Sequence, residues 1–168
     1  MDRTVLDAVL RTGGWVAAVA RALDVPTIAT EEDAATNGAT SAVVAEQFAE
    51  TARVLAKRAF AAPDNPHILR AIESAGASTV VLVGMETDVC VAHSALRLGE
   101  RGMRAVAVHD ALFSPGAAHA NGLSRMRAAG VELLSAKELL YDGLPTLDDI
   151  REFRRRVPAL STPPGFSL

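Results

Sequence analysis

The sequence predicts an α/β domain built on a mainly parallel sheet, and three observations carry that reading. Short apolar runs at residues 27–30, 79–83, 104–108 and 131–134 alternate with longer stretches of helical periodicity, the pattern of strands joined by crossover helices. The run Thr79-Val80-Val81-Leu82-Val83 lacks polar alternation, as expected of a strand buried on both faces. Charged or reactive residues recur at the carboxyl ends of the expected strands, namely Glu31, Lys57, Cys90 and Asp110. In open parallel sheets that rim is where sites form.

Taken in order, residues 2–23 read as a helix with Trp15, Val16, Val19, Ala20 and Leu23 on one face and Gly13-Gly14 as a kink. Asp24-Val25-Pro26 turns the chain into a strand at 27–30, which the acidic run Glu31-Glu32-Asp33 ends. Residues 34–41 read as a loop, 43–49 as a short helix, and 53–56 as a strand with Lys57 at its carboxyl end. Asn65 to Ala75 is a helix, with Pro66 near its start and Gly76 past its end. The run 79–83 ends at Gly84, and Val91, Ala95 and Leu98 then recur at helical spacing, with Cys90 where that helix opens. The strand at 104–108 gives way to His109-Asp110. Ser114-Pro115 reads as a cap and first position of a helix reaching Ala129. A last strand covers 131–134, Ser135 to Glu138 has capping-box spacing, and 146–157 is a charged amphipathic helix.

Composition narrows the functional classes. The chain of 168 residues is 49% hydrophobic, enough for one domain with a core. We expect that domain to span 1–157, with a proline-containing tail at 158–168. The net charge is −3, and Arg154-Arg155-Arg156 is the one basic block, so nucleic-acid binding has little support. One cysteine excludes an internal disulfide and a CxxC metal site. Without a signal-peptide pattern or an apolar run of spanning length, the expectation is a cytoplasmic protein with no membrane partner.

Gly84-Met85-Glu86-Thr87-Asp88-Val89-Cys90-Val91 resembles the nucleophile motif of the isochorismatase-like cysteine hydrolases. Residues 25–31 (VPTIATE), 57–60 (KRAF), 108–114 (VHDALFS) and 125–130 (RMRAAG) are similar to further segments of that family, so the resemblance covers roughly residues 5–157. It implies a three-layer, Rossmann-like fold. It also implies a cysteine nucleophile at Cys90, activated by Lys57, attacking a small amide or related carbonyl substrate through a covalent intermediate. A cis peptide at Met85–Glu86 and an oxyanion site at backbone N–H groups near Glu86 and Cys90 come with it. The resemblance implies no organic cofactor. Nicotinamidase-type members bind a metal through an Asp and two His; no matching run occurs here, so no metal is expected. Homo-oligomers are usual for such folds.

One departure stands out. The family's catalytic aspartate lies in an apolar–Asp–x–Gln segment on a first, central strand, between those matching 27–30 and 79–83. No such segment occurs in the chain. Asp2 and Asp7 follow no strand, and neither takes the role. The chain therefore reads either as having a true start farther upstream or as a shortened relative. The alternative function is a degenerate, inactive member serving as a subunit or binding protein. A Rossmann nucleotide binder is disfavoured because no GxGxxG follows a strand.

The bland readings stand beside these. Cys90 in a favourable position is otherwise a small buried apolar residue, and Lys57 a surface lysine. At a helix start near Lys57, the thiolate is expected to be favoured. Asp88 reads as a helix N-cap. Glu31, Phe60, His93 and Asp110 are candidate pocket residues, with His93 also readable as a packed histidine. His109, Asp110 and Ser114 read as braces, and His67 and His119 carry no cluster.

Overall fold

The computed structural model describes residues 3–166; Asp2 and the last two residues of the expected tail lie outside the described residues. Its order is α1 (Arg3–Ala22), β1 (Ile28–Glu32), α2 (Ala34–Asn37), α3 (Ala42–Ala45), β2 (Arg53–Lys57), a 3-10 turn (Ala62–Asp64) and α4 (Pro66–Ser74). Then come β3 (Thr79–Met85), a π-helical turn (Thr87–Val91), α5 (Ala92–Glu100), β4 (Arg104–Phe113), α6 (Ala117–Ala128), β5 (Glu132–Leu134), α7 (Ala136–Gly143) and α8 (Leu147–Arg156). The α/β class and the parallel pairing predicted from the sequence are present.

The strands form two sheets. β1 pairs in parallel with β2, placing Glu32 opposite Lys57. β3, β4 and β5 form a second parallel sheet with β4 in the middle. Among the described residues no ladder joins β1 to β3.

β4 carries most of the core. Successive strand residues face opposite sides. Ala105, Ala107 and Leu112 join Ile68, Ile72, Val91, Leu98 and Met126 in one apolar cluster. Val108 and Ala111 join Trp15, Val16, Val19, Leu140, Ile150 and Phe153 in another. Helices α4–α6 thus lie on one face, and α1, α7 and α8 on the other. Ile28 of β1 and Leu55 of β2 pack as partly buried members of the first cluster.

Helix α1 departs from the expected amphipathic pattern, because every residue from Thr12 to Val19 is buried. Gly13-Gly14 does not interrupt it. A Cβ on Gly14 would lie 2.8 Å from the Val43 carbonyl oxygen, so the glycine admits α3 against the helix.

β4 runs beyond Val108, where His109-Asp110 had suggested an end. Its register against β3 jumps from Leu82–Ala107 to Gly84–Leu112. The extra residues bulge, and the strand resumes because Ala111 and Leu112 are buried. The expected cap of Ser135 with Glu138 forms as a reciprocal capping box, and the structure adds a second one at the start of α8, Thr146 with Asp149. Beyond α8 the chain makes a 3-10 turn at Pro158–Leu160. Leu160 packs against the second cluster, Pro163 is buried, and Lys137 sits over the Phe166 ring.

Candidate active site

Cys90 lies past the carboxyl end of β3, in the turn that starts α5. The Met85–Glu86 peptide is cis. The chain then winds a wide π turn, with the Val91 N–H donating to the Glu86 carbonyl at 3.0 Å, a form often found at functional sites. The turn is braced from three directions. Thr87 is fully buried, and its hydroxyl shares a 2.9 Å hydrogen bond with His119 Nδ1 on α6. Ser114 donates to the Asp88 carboxylate at 2.6 Å and accepts from the Asp88 N–H at 3.5 Å. Ser94 donates to the Cys90 carbonyl at 2.6 Å and accepts from the Ala62 N–H at 2.8 Å. That last pair fixes the cysteine backbone to the segment following Lys57.

Helix α6 approaches this turn closely. A Cβ on Gly122 would lie 2.7 Å from the Asp88 Cα and N atoms, nearer than atoms pack.

Lys57 reaches the thiol from the other sheet. It is the last residue of β2 and 5% exposed. Its ammonium has three N–H donors and meets three acceptors: Glu32 Oε2 at 2.7 Å, the Ala59 carbonyl at 3.1 Å and Cys90 Sγ at 3.3 Å. The Cys90 thiol in turn donates to Glu32 Oε2 at 3.2 Å. Thiol, ammonium and carboxylate therefore form a closed triangle, with Cys90 from the larger sheet and the two charged groups from the smaller.

The hydrogen bond from Lys57, followed by that from Cys90, holds the Glu32 carboxyl below its ordinary value. The Cys90 thiol is pushed up, first by burial and then by its bond to Glu32; Lys57 opposes both. The expected bias toward thiolate is thus reversed in the free protein. Burial and the carboxylate outweigh the cation.

Several sequence candidates take other places. Glu31 points its carboxylate at Thr40, accepting from the N–H and the hydroxyl at 2.8 Å each; Glu32 is the strand-end acid that meets Cys90. Asp110 accepts from the Ala136 N–H at 2.8 Å and ties β4 to α7 instead of joining the thiol cluster. Asp88 is not a side-chain cap, because its carboxylate is held by Ser114. Nor does Ser114 cap α6, which opens at Ala117 after Gly116. His93 donates through Nδ1 to the Val89 carbonyl at 2.7 Å, the packed arrangement. Its ring centroid is 6.5 Å from that of Phe60, which is 55% exposed. Met85 and Glu86, flanking the cis bond, are both exposed. Among the described residues no group of three or more His, Cys, Asp or Glu is placed to hold a metal ion.

The sequence reading missed Glu32, Ser94, His119 and Gly122. The register of β1 on β2 contains the signal for Glu32, since Glu32 and Lys57 are directly paired.

The Isochorismatase domain model matches residues 4–138. The chain belongs to the isochorismatase family. Isochorismatase-like solved structures share the fold. YcaC from Pseudomonas aeruginosa, solved with hexane-2,5-diol and covalent acrylamide, is 26% identical, with a TM-score of 0.78 over 96% of this chain and 81% of that one. The Escherichia coli YcaC gene product, described as an octameric hydrolase of unknown specificity, is 25% identical, with a TM-score of 0.73 over 95% and 80%. The MAR1 ribonuclease of Caenorhabditis elegans superposes with a TM-score of 0.83 over 96% and 85%, at 24% identity. The search of curated proteins returns no match. No helix of the described residues is long and apolar enough to cross a membrane.

Proposed function

We propose that this isochorismatase-family chain is a cysteine hydrolase acting on a small amide or related carbonyl compound through a thioester. The observation that carries the reading is the buried Lys57 ammonium 3.3 Å from Cys90 Sγ. Cys90 is the nucleophile. Lys57, fixed by Glu32 and the Ala59 carbonyl, stabilises negative charge as it develops on sulfur. Backbone N–H groups at the opening of the π turn, that of Cys90 among them, receive the carbonyl oxygen as it becomes an oxyanion. Phe60 and His93 form one wall for the substrate. No metal or organic cofactor takes part in this scheme. The chain is further proposed to be a cytoplasmic homo-oligomer, a state supported by the octameric description of the Escherichia coli YcaC structure and testable by sedimentation.

The direct test is release of ammonia from a panel of small primary amides. Wild-type protein is expected to turn over at least one member, while Cys90→Ala loses activity entirely and Lys57→Met by about 10²-fold or more. Activity that survives in Cys90→Ala would sink the reading. The second reading, a non-catalytic subunit or binding protein, is favoured by one observation, the Glu32 carboxylate 3.2 Å from Cys90 Sγ, whose charge opposes a thiolate. It predicts no turnover and no acyl adduct at Cys90 with any carbonyl reagent.

A further inference from the structure

The triangle contains one proton with two places to sit. Glu32 Oε2 is 3.2 Å from Cys90 Sγ along a thiol-to-carboxylate hydrogen bond, and the same oxygen is 2.7 Å from the Lys57 ammonium. Other charged or titratable groups nearby are committed elsewhere: Asp88 to Ser114, His93 to the Val89 carbonyl and Glu31 to Thr40. Glu32 keeps 30% of its side chain exposed, whereas the Lys57 side chain is 4% exposed. The carboxylate is therefore the member of the cluster that both touches the thiol proton and opens toward solvent, where a leaving group departs and water enters.

We infer that Glu32 is the acid–base group of the Cys90 site. The inference rests on the hydrolase reading above and extends it. As sulfur attacks the carbonyl carbon, the thiol proton passes to Glu32, the C–S bond forms and the carbonyl π pair moves to oxygen. When that pair returns, the C–N bond breaks, and the protonated Glu32 gives its proton to the departing amine, leaving a thioester. Glu32, again a carboxylate, takes a proton from water as the hydroxide oxygen attacks the thioester carbon. The C–S bond then breaks, and sulfur recovers the proton from Glu32. One amide and one water become one acid and one amine, and the site ends as it began. Lys57 keeps its proton throughout.

This role gives Glu32→Gln two effects of opposite sign. Without the carboxylate, only burial opposes the pull of Lys57 on the thiol. Alkylation by iodoacetamide, which needs no proton donor, should speed up about tenfold at pH 7.5 as its midpoint falls by about one pH unit. Reaction with p-nitrophenyl acetate should still acetylate Cys90, because nitrophenolate leaves without a proton. The acetyl-enzyme should then persist about 10²–10⁴-fold longer than in the wild type, as followed by intact mass. In Glu32→Ala, added formate should restore deacylation, which covers the case in which the glutamine variant folds poorly. A merely structural Glu32 predicts slower alkylation and slower acetylation together, without rescue. That result, or an acetyl-enzyme in Glu32→Gln that turns over at the wild-type rate, overturns the inference. Acetylation at a residue other than Cys90, or none in the wild type, instead overturns the hydrolase reading on which it rests.

Discussion

The two sheets treat their residues differently. In β4, at the centre of the three-stranded sheet, Ala105 to Val108 and Ala111-Leu112 are buried. In the β1–β2 pair no residue of β1 is fully buried, and Lys57 alone is buried in β2. β4 is held by apolar contacts on both faces, although β3 beside it leaves Val81 and Val83 exposed, contrary to the expectation of a strand buried on both faces; the smaller sheet holds its most buried position with an ion pair. Cys90 follows β3, an edge strand of the larger sheet with no fully buried residue. Glu32 and Lys57, which contact it, stand at the end of the less buried sheet.

This contrast can be broken by substitution. Leu112→Ala, at a position 1% exposed, should cost about 2–5 kcal/mol. Leu55→Ala, at a partly buried position of β2, should cost nearer 1 kcal/mol; urea titration of both variants measures the gap. Equal costs would mean that the two sheets are one energetic unit.

Two glycines sharpen the comparison. Gly122→Ala drives a methyl into the Asp88 backbone, and Gly14→Ala drives one into the Val43 carbonyl. Each should cost about 1–3 kcal/mol by overpacking. Gly122→Ala should in addition slow Cys90 acetylation by as much as about 10²-fold, since it displaces the turn that aims the thiol. Gly14→Ala should leave acetylation near the wild-type rate.

The smallest effects lie in the pH dependence of stability. The Glu32 carboxyl is lowered on folding, so its contribution is complete above the ordinary value of about 4.3 and fades as pH falls through the lowered folded value. The Cys90 thiol is raised on folding. Its contribution is complete below about 8.5 and fades as pH rises through the raised folded value. Tm should therefore show a plateau between these limits with a decline on each side. Glu32→Gln should flatten the acid decline and shrink the alkaline one.

Much of this was legible in the sequence. Short apolar runs placed the strands, apart from the continuation of β4 past Val108, and the Ser135–Glu138 spacing placed the start of α7. Position after a strand marks Glu31, Lys57, Cys90 and Asp110 alike, and the family resemblance narrows these to Cys90 and Lys57. The third member was harder, because Glu31 and Glu32 are adjacent and a strand sends neighbours to opposite faces. Choosing between them requires the last residue of β1, and element ends are what periodicity fixes least. The braces of the π turn come from Ser114 and His119, 26 and 32 residues from their partners. Local sequence marks Ser114 as a brace without naming its partner, and gives no signal for the His119 pairing.

Helix α1 has a consequence for the protein during its own synthesis. It is buried all round at Thr12–Val19, and its partners Val108, Leu140, Ile150 and Phe153 lie far downstream. At a translation rate of about 5–20 residues per second, the wait for them is on the order of ten seconds. For that interval the largely apolar segment Thr12–Val19 has only α3, made soon after it, to pack against, and most of its surface awaits these later partners.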